Sequence, residues 1–351
     1  MDTAATHMKE SLNKSLNLAL RCRNYSRHGD LDEYIAQAKG DAWRSYRSLW
    51  TRANNLETQM GYPLYVVLET FFRCNLRCIM CDMSFEQVRR QMDHRQTMSR
   101  DTLFNVLDQL GGLGTPSVAL NAYNEALLDK ELLYAGVERA KNNGILDVFF
   151  STNATLLDEE AANRILDLEP TQIRFSFDAH SPETYEQIRR GARFETVRDN
   201  ILRFMELKER RGQVLPVTRL SFVNMTVNTH EMRDYLAFWM DKADYISIQR
   251  YGPVDDSPEA LALCVEDTPP PSGSYTCAYP FTTLYLRANG DALSCCSKLT
   301  FSTKVGNIHD MTVQECFNSP GMQYLRECMK SRELERVPRC HRCLKFAKLI
   351  V

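Results

Sequence analysis

The run LYVVLETFFRCNLRCIMC, residues 64–81, decides the fold. Its first part, from Leu64 to Thr70, is apolar and rich in β-branched residues, the mark of a buried strand. Straight after it come Cys74, Cys78 and Cys81, spaced C-x3-C-x2-C. Three thiols within eight residues read as metal ligands rather than inert core. Thiolate sulfur selects zinc or an iron–sulfur cluster. Both ordinarily take four ligands, and no fourth cysteine lies nearby in sequence. A set of three leaves one metal position open for a substrate. A zinc site completed by a distant residue such as His94 is the plainer alternative.

Downstream, the same rhythm repeats. Further strands are expected at 117–121, 147–152, 172–178, 218–226 and 244–250. Helices are expected at 99–110, 130–142, 158–168, 182–190, 194–211 and 230–242, with start signals such as Ser181-Pro182-Glu183. Strand–helix units in series imply a parallel sheet with right-handed crossovers. Near-continuous apolar runs fit strands buried on both faces. Polar residues at the strand ends would converge on one mouth, where such folds place their chemistry. Asn153 and Asp178 carry a second reading as helix caps.

The flanks differ. Residues 1–62 read as helical, with Trp43, Tyr46 and Trp50 on one apolar face and no chemistry in it. After Pro253 the periodicity is lost, and a Pro/Ser-rich connector at 268–274 leads into a Cys-rich end. There, runs at 283–288 and 291–295 flank Asn289-Gly290, a hairpin signal that would deliver Cys295. Cys277, Cys295 and the Cys340-His-Arg-Cys343 pair form a second set, which alone fits a zinc ribbon or an iron–sulfur cluster equally. Cys296 is an alternative to Cys295. Cys22, Cys316 and Cys328 read as buried thiols. The expected division is 1–62, 63–255 and 256–351.

Composition limits the classes. The chain has 351 residues, 44% hydrophobic and 25% charged, which excludes collagen-like and broadly disordered states. A net charge of −2 gives no reason to expect a nucleic-acid or membrane partner. The uncharged stretch 268–286 carries four prolines and is no membrane span. The N-terminus lacks the apolar core of a secretory signal. A cytoplasmic protein is expected, and its twelve cysteines are then not a disulfide framework.

The segment Cys74-Asn75-Leu76-Arg77-Cys78-Ile79-Met80-Cys81 resembles the CxxxCxφC signature of radical S-adenosylmethionine (SAM) enzymes, with Met80 as φ. The resemblance extends along the rim. Asn124-Glu125-Ala126 is similar to the Gly-Gly-Glu-Pro segment that holds the SAM amino group, with Asn124 for glycine and Ala126 for proline. Thr152-Asn153-Ala154 is similar to the family's Thr-Asn-Gly turn, with Ala154 replacing glycine. Ser176-Phe177-Asp178 resembles the Ser-x-Asp segment, and Arg189 the arginine near the SAM carboxylate or ribose. Asn224 and Gln249 end the fifth and sixth strands. The C-terminal region resembles the SPASM/twitch extension, in the shorter form with one auxiliary cluster on Cys277, Cys295, Cys340 and Cys343.

The resemblance implies a partial (β/α)6 TIM-like barrel. It implies a [4Fe-4S] cluster on Cys74, Cys78 and Cys81 whose open iron is chelated by SAM. Reductive cleavage would give a 5′-deoxyadenosyl radical that abstracts a substrate hydrogen. It also implies a flavodoxin- or ferredoxin-type electron donor. The expected reaction is oxidation of a sugar-like or aminocyclitol alcohol, with the auxiliary cluster accepting an electron. Epimerisation, with Cys264 as hydrogen donor, is the first alternative, and ribosomal-peptide modification the next. The N-terminal segment, with the loops, is expected to shape specificity.

Overall fold

The computed structural model describes residues 23–90, 93, 95–253, 255–265, 277–295 and 302–346. Cys22, His94, Cys296 and the 268–274 connector lie outside the described residues. Ten strands form one sheet: β1 (Arg23–Ser26), β2 (Tyr65–Leu68), β3 (Ser117–Ala119), β4 (Asp147–Thr152), β5 (Gln172–Ser176), β6 (Val217–Asn224), β7 (Tyr245–Arg250), β8 (Thr283–Leu286), β9 (Asp291–Leu293) and β10 (Lys304–Asn307). Their order is β1-β7-β6-β5-β4-β3-β2-β8-β9-β10. Strands β2 to β7 are parallel neighbours in chain order, and helices fill the crossovers. This is the expected six-unit partial barrel.

The outer face of the barrel is apolar because it lies under those helices. Val66, Leu68, Val118, Val148, Phe150, Phe175, Leu220, Phe222 and Ile246 all join one core. The helix starts follow the sequence signals. Asp129 accepts the Leu132 N–H, Asp158 the Ala161 N–H, and Ser181 the Thr184 N–H, with Pro182 in the first turn. The caps are thus Asp158 and Ser181, not Asn153 or Asp178.

Three expectations change. First, the inner face is not apolar throughout. In β5–β7 the inward residues are Arg174, Ser176, Arg219, Ser221, Ser247 and Gln249, alternating with buried apolar ones. The β2–β4 side adds Val67, Ala119 and Phe149 to this interior, where they cluster with Tyr285 and Leu293. Second, the segment read as wholly helical contains, among its described residues, the strand β1, antiparallel to β7. Its four residues are too few and too polar to show a strand period. Third, the expected hairpin of the Cys-rich end extends the barrel sheet, because β8 pairs in parallel with β2 and the β9–β10 strands follow. Asn289-Gly290 does make the expected turn. Gly290 has φ +83°, and a Cβ there would meet the His309 ring at 2.5 Å.

The helices Leu31–Lys39 and Asp41–Asn54 close the barrel floor. Ile35, Trp43 and Tyr46 pack on Leu215 and Val217, beside Leu146 and Tyr245, all at strand beginnings. This is the end opposite the cysteine loop, so residues 31–54 support the barrel rather than shape its mouth.

A buried carboxylate ties β1 to this floor. Asp244 accepts from Arg27 (3.0 Å), His28 (2.8 Å), the Thr218 N–H and hydroxyl (2.8 Å each) and Lys208. Burial alone would raise its pKa; His28, Lys208 and Thr218 outweigh that and hold it well below the usual aspartate value. Such a group stabilises the fold above the unfolded pKa of about 3.9. That stability is lost as pH falls through the lowered folded value. Asp244→Asn leaves Lys208 buried without its counter-charge, so it should cost about 3–5 kcal/mol. Urea unfolding at neutral pH would read this, and the variant should also lose part of the parent's acid-side slope of stability.

Candidate active site

The cysteine loop leaves the C-terminal end of β2 and is pinned from across the mouth. Arg77 N–H donates to the Arg190 carbonyl and Ile79 N–H to the Ile188 carbonyl, both at 3.0 Å. Gly191 makes the turn that follows these carbonyls, at φ +99°, and a Cβ there would rest in ordinary contact with Leu76 (3.4 Å) and the Asn75 carbonyl (3.5 Å). Cys78 and Met80 are buried, while Cys74 and Cys81 are partly exposed. Burial and the nearby Glu125 and Cys78 push the Cys74 thiol up to about 11. Burial likewise raises Cys78, against the pull of Arg189. Such thiols ionise only with a cation beside them, which is what a metal centre provides.

Around the loop, successive strand ends deliver polar groups. Glu125 is buried; its Oε1 accepts from the Thr152 hydroxyl (2.6 Å) and the Leu127 N–H (3.1 Å), and its Oε2 from the Asn153 N–H (2.7 Å). Asn153 Nδ2 reaches Asn75 Oδ1 at 2.9 Å and the Cys74 sulfur at 3.8 Å. Asn121 ties the second and third rims, donating to the Asn124 and Ser151 carbonyls. Asn124, at the glycine position, turns its side chain onto the Ala122 N–H. Ala154 takes φ +57°, the left-handed conformation that glycine would supply.

Asp178 and Arg189 are placed differently from the other rim residues. Both are buried, and they pair with each other. Asp178 Oδ2 accepts from Arg189 Nε at 2.6 Å, and Oδ1 from the Val223 N–H at 2.6 Å. Arg189 Nη1 then reaches the Cys78 sulfur at 3.6 Å. Ser176 and Gln249 are partly buried on the inner face, and Asn224 Oδ1 is buried with no hydrogen-bond partner. An orphaned acceptor at this rim fits a bound ligand.

The second cysteine set lies at the base of the β8–β9 hairpin. Cys277 precedes β8 and Cys295 follows β9, whose strands run antiparallel. Cys340 and Cys343 come from the helix Pro338–Phe346. Burial first, then Cys295, Cys343 and Cys340, push the Cys277 thiol well above its ordinary value. Burial, Cys295 and Cys343 push Cys340 up to about 12. The four thiols are thus within electrostatic reach of one another. Ser302 links two of their segments, donating to the Cys295 carbonyl (3.0 Å) and accepting from Arg339 at its own carbonyl (2.9 Å). Among the described residues no three Cys, His, Asp or Glu side chains converge on a single ion. Cys316 and Cys328 are fully buried and belong to the core. Cys264 lies beside the fifth rim, where Thr226 bonds to the Leu263 and Ala262 carbonyls.

Comparison with known proteins agrees with this geometry. Residues 68–236 match the family model of the radical SAM superfamily, and 277–344 that of an iron–sulfur cluster-binding domain, SPASM. The chain belongs to the radical SAM superfamily. Those two domains imply a SAM-binding [4Fe-4S] cluster and an auxiliary iron–sulfur cluster. A GTP 3′,8-cyclase of Desulforamulus reducens is 27% identical over 172 residues, 49% of this chain and 50% of that protein. The chain thus aligns with about half the length of the curated relatives it matches. Streptococcus suis SuiB, solved with its precursor peptide SuiA, has the same fold at TM-score 0.59 and 15% identity, over 80% of this chain and 70% of that one. So has anSMEcpe, solved with bound AdoMet, at TM-score 0.57 and 14% identity, over 79% and 89%. Among the described residues no helix of this radical SAM protein is long and apolar enough to cross a membrane.

Sequence reading passed over Glu69, Arg174 and Arg219 on the inner face. Their signal was the alternation of polar and apolar residues in β5 and β6.

Gly191→Ala would force a side chain into a left-handed backbone, at about 1–2 kcal/mol, next to the carbonyls of residues 188 and 190 that hold the cysteine loop. The variant should show a lower Tm and faster loss of iron to a chelator than the parent, measured anaerobically.

Proposed function

We propose that this radical SAM enzyme oxidises an alcohol of a sugar-like or aminocyclitol substrate to a carbonyl. What carries the reading is the mutual reach of Cys277, Cys295, Cys340 and Cys343. Four protein thiols leave no open metal position, so that centre suits electron transfer rather than substrate binding. Cys74, Cys78 and Cys81 would hold the cluster that, with SAM bound, would supply the chemistry of hydrogen-atom removal from carbon.

The chain's own residues position the reactants. Glu125, aimed by Thr152 and Asn153, would receive the SAM amino group. Asn224 Oδ1 offers an acceptor at the rim, and Met80, Ser176 and Gln249 would line the same approach. Asp178 and Arg189 are positioning residues, since they hold the cysteine loop through Cys78. Conversion of an alcohol to a carbonyl removes one hydrogen atom from carbon, one proton from oxygen and one further electron. Cys277, Cys295, Cys340 and Cys343 would hold the acceptor of that electron.

A second reading, epimerisation, draws on the place of Cys264 beside the fifth rim. A thiol there would return a hydrogen atom to the substrate radical, and solvent deuterium would enter the product.

The test is a Cys340→Ala/Cys343→Ala variant beside the parent, both reconstituted anaerobically. Iron should fall from about eight to about four per chain. The variant should keep forming 5′-deoxyadenosine from SAM and dithionite while carbonyl product falls at least tenfold. Unchanged iron, or full carbonyl yield with the second set removed, would sink the oxidation reading.

A further inference from the structure

The hollow side of the barrel holds two cations that the chemistry above does not use. Arg174 of β5 and Arg219 of β6 are direct register partners on the inner face. The Arg174 guanidinium lies 3.5 Å from the centroid of the Phe149 ring and reaches only Gln172 Oε1, at 3.3 and 3.4 Å. Arg219 donates to the Ser247 hydroxyl at 2.8 Å, and its Nε is buried with no partner. Among the described residues neither makes an ion pair. Asp147 is the carboxylate that faces Arg174, and it is taken by Ser117 (3.0 Å) and Gln172 (3.3 Å).

Like charges set opposite each other on neighbouring strands destabilise a sheet, and a buried cation without a counter-ion costs more. Burial first, then Arg219, lowers the Arg174 pKa to about 10. Burial raises both Asp147 and Glu69, the acids on this interior, and Glu69 is held by Tyr285 and Arg287. Among the described residues neither Arg174 nor Arg219 thus has a carboxylate in hydrogen-bond reach, and Arg219 Nε has no acceptor. Arg174 and Arg219 are nevertheless only partly buried, on the face that continues upward to the mouth.

The layer above them is equally specific. Ser176, Ser221 and Ser247 form one register row across β5, β6 and β7, a step nearer the rim than the arginines. Gln249 pairs with Val223 a step higher still. From floor to mouth the wall thus offers two guanidinium groups, three hydroxyls and an amide.

We propose that Arg174 and Arg219 form an anion-binding floor in the substrate cavity, which takes the carboxylate or phosphate of a polyhydroxylated substrate and points its far end at the cysteine loop. Guanidinium groups bind both anions through paired N–H donors, and the serine row suits hydroxyls along the chain. Only the upward orientation rests on the radical reading. Within that reading the floor selects an acidic sugar-like substrate over a basic aminocyclitol, which the two cations would repel.

The test uses the reconstituted full chain without SAM or reductant, so anion binding is read separately from radical chemistry. D-Gluconate, D-glucose 6-phosphate, D-glucose and D-glucosamine are titrated at matched ionic strength, with tryptophan fluorescence and thermal midpoint as readouts. At least one anionic probe should bind and raise Tm by about 2–4 °C, while glucose and glucosamine bind at least tenfold more weakly. Response to gluconate alone would mark a carboxylate floor, and to the phosphate alone a phosphate floor. Arg174→Gln and Arg219→Gln should each weaken that probe about tenfold or more, and Arg219→Lys, which keeps the charge, should weaken it less. Without ligand, the Gln variants should melt no lower than the parent, since each relieves the repulsion. The proposal fails if neither anion binds better than glucose to the parent, or if binding survives both Gln substitutions.

Discussion

The buried contact between Asp178 and Arg189 holds the mouth of the barrel together. Asp178 ends the fourth rim; one of its oxygens fixes the Val223 N–H of β6, and its backbone carbonyl accepts from Asn228 at 2.7 Å. Its other oxygen holds Arg189, which reaches on to Cys78. One ion pair therefore joins the β5 end, the β6 end and the metal-binding loop. Removing either partner would strand a charge in a buried site, at a typical cost of about 3–5 kcal/mol. The neighbouring backbone bonds from Arg77 and Ile79 to residues 190 and 188 depend on the same segment staying in place.

This arrangement explains why two polar rim residues end in different roles from their neighbours. Glu125 spends its oxygens on short donors that aim it, yet it stays beside Cys74 and Asn153 at the mouth. Asp178 is fully buried, with Arg189 on one oxygen and the Val223 N–H on the other. A motif in sequence identifies a carboxylate at a strand end; it does not say which of its lone pairs are already taken. That depends on an arginine eleven residues away and on a strand forty-five residues away.

The same limit governs what could be read before the fold was known. Cysteine spacing and the six strand–helix units were legible because they are local signals: thiol intervals, apolar runs and capping residues such as Ser181. The strand β1 was not legible, since four residues with Asn24 and Ser26 buried owe their place to β7 and Asp244. Nor was the union of the C-terminal hairpin with the barrel, because β8 finds β2 across more than two hundred residues. The inner-face arginines were visible as letters in QIRFS and VTRLSFVN. Their meaning needed the register that sets Arg174 against Arg219.

Ala154 illustrates how a departure from a family pattern is absorbed. A non-glycine residue at φ +57° carries a cost of about 1–2 kcal/mol. The surroundings hold it there: its N–H donates to the Thr152 hydroxyl at 3.0 Å, and its carbonyl accepts from Asn200 at 2.9 Å. Asn153 is bound on both sides as well, with its N–H on Glu125 and its side-chain oxygen on the Thr155 N–H and hydroxyl. If the turn relaxed to an ordinary backbone, the Asn153 N–H would swing off Glu125 and its amide off Asn75. Both contacts aim groups at the mouth, so the strain at one alanine is kept by the contacts that hold the third rim against the cysteine loop.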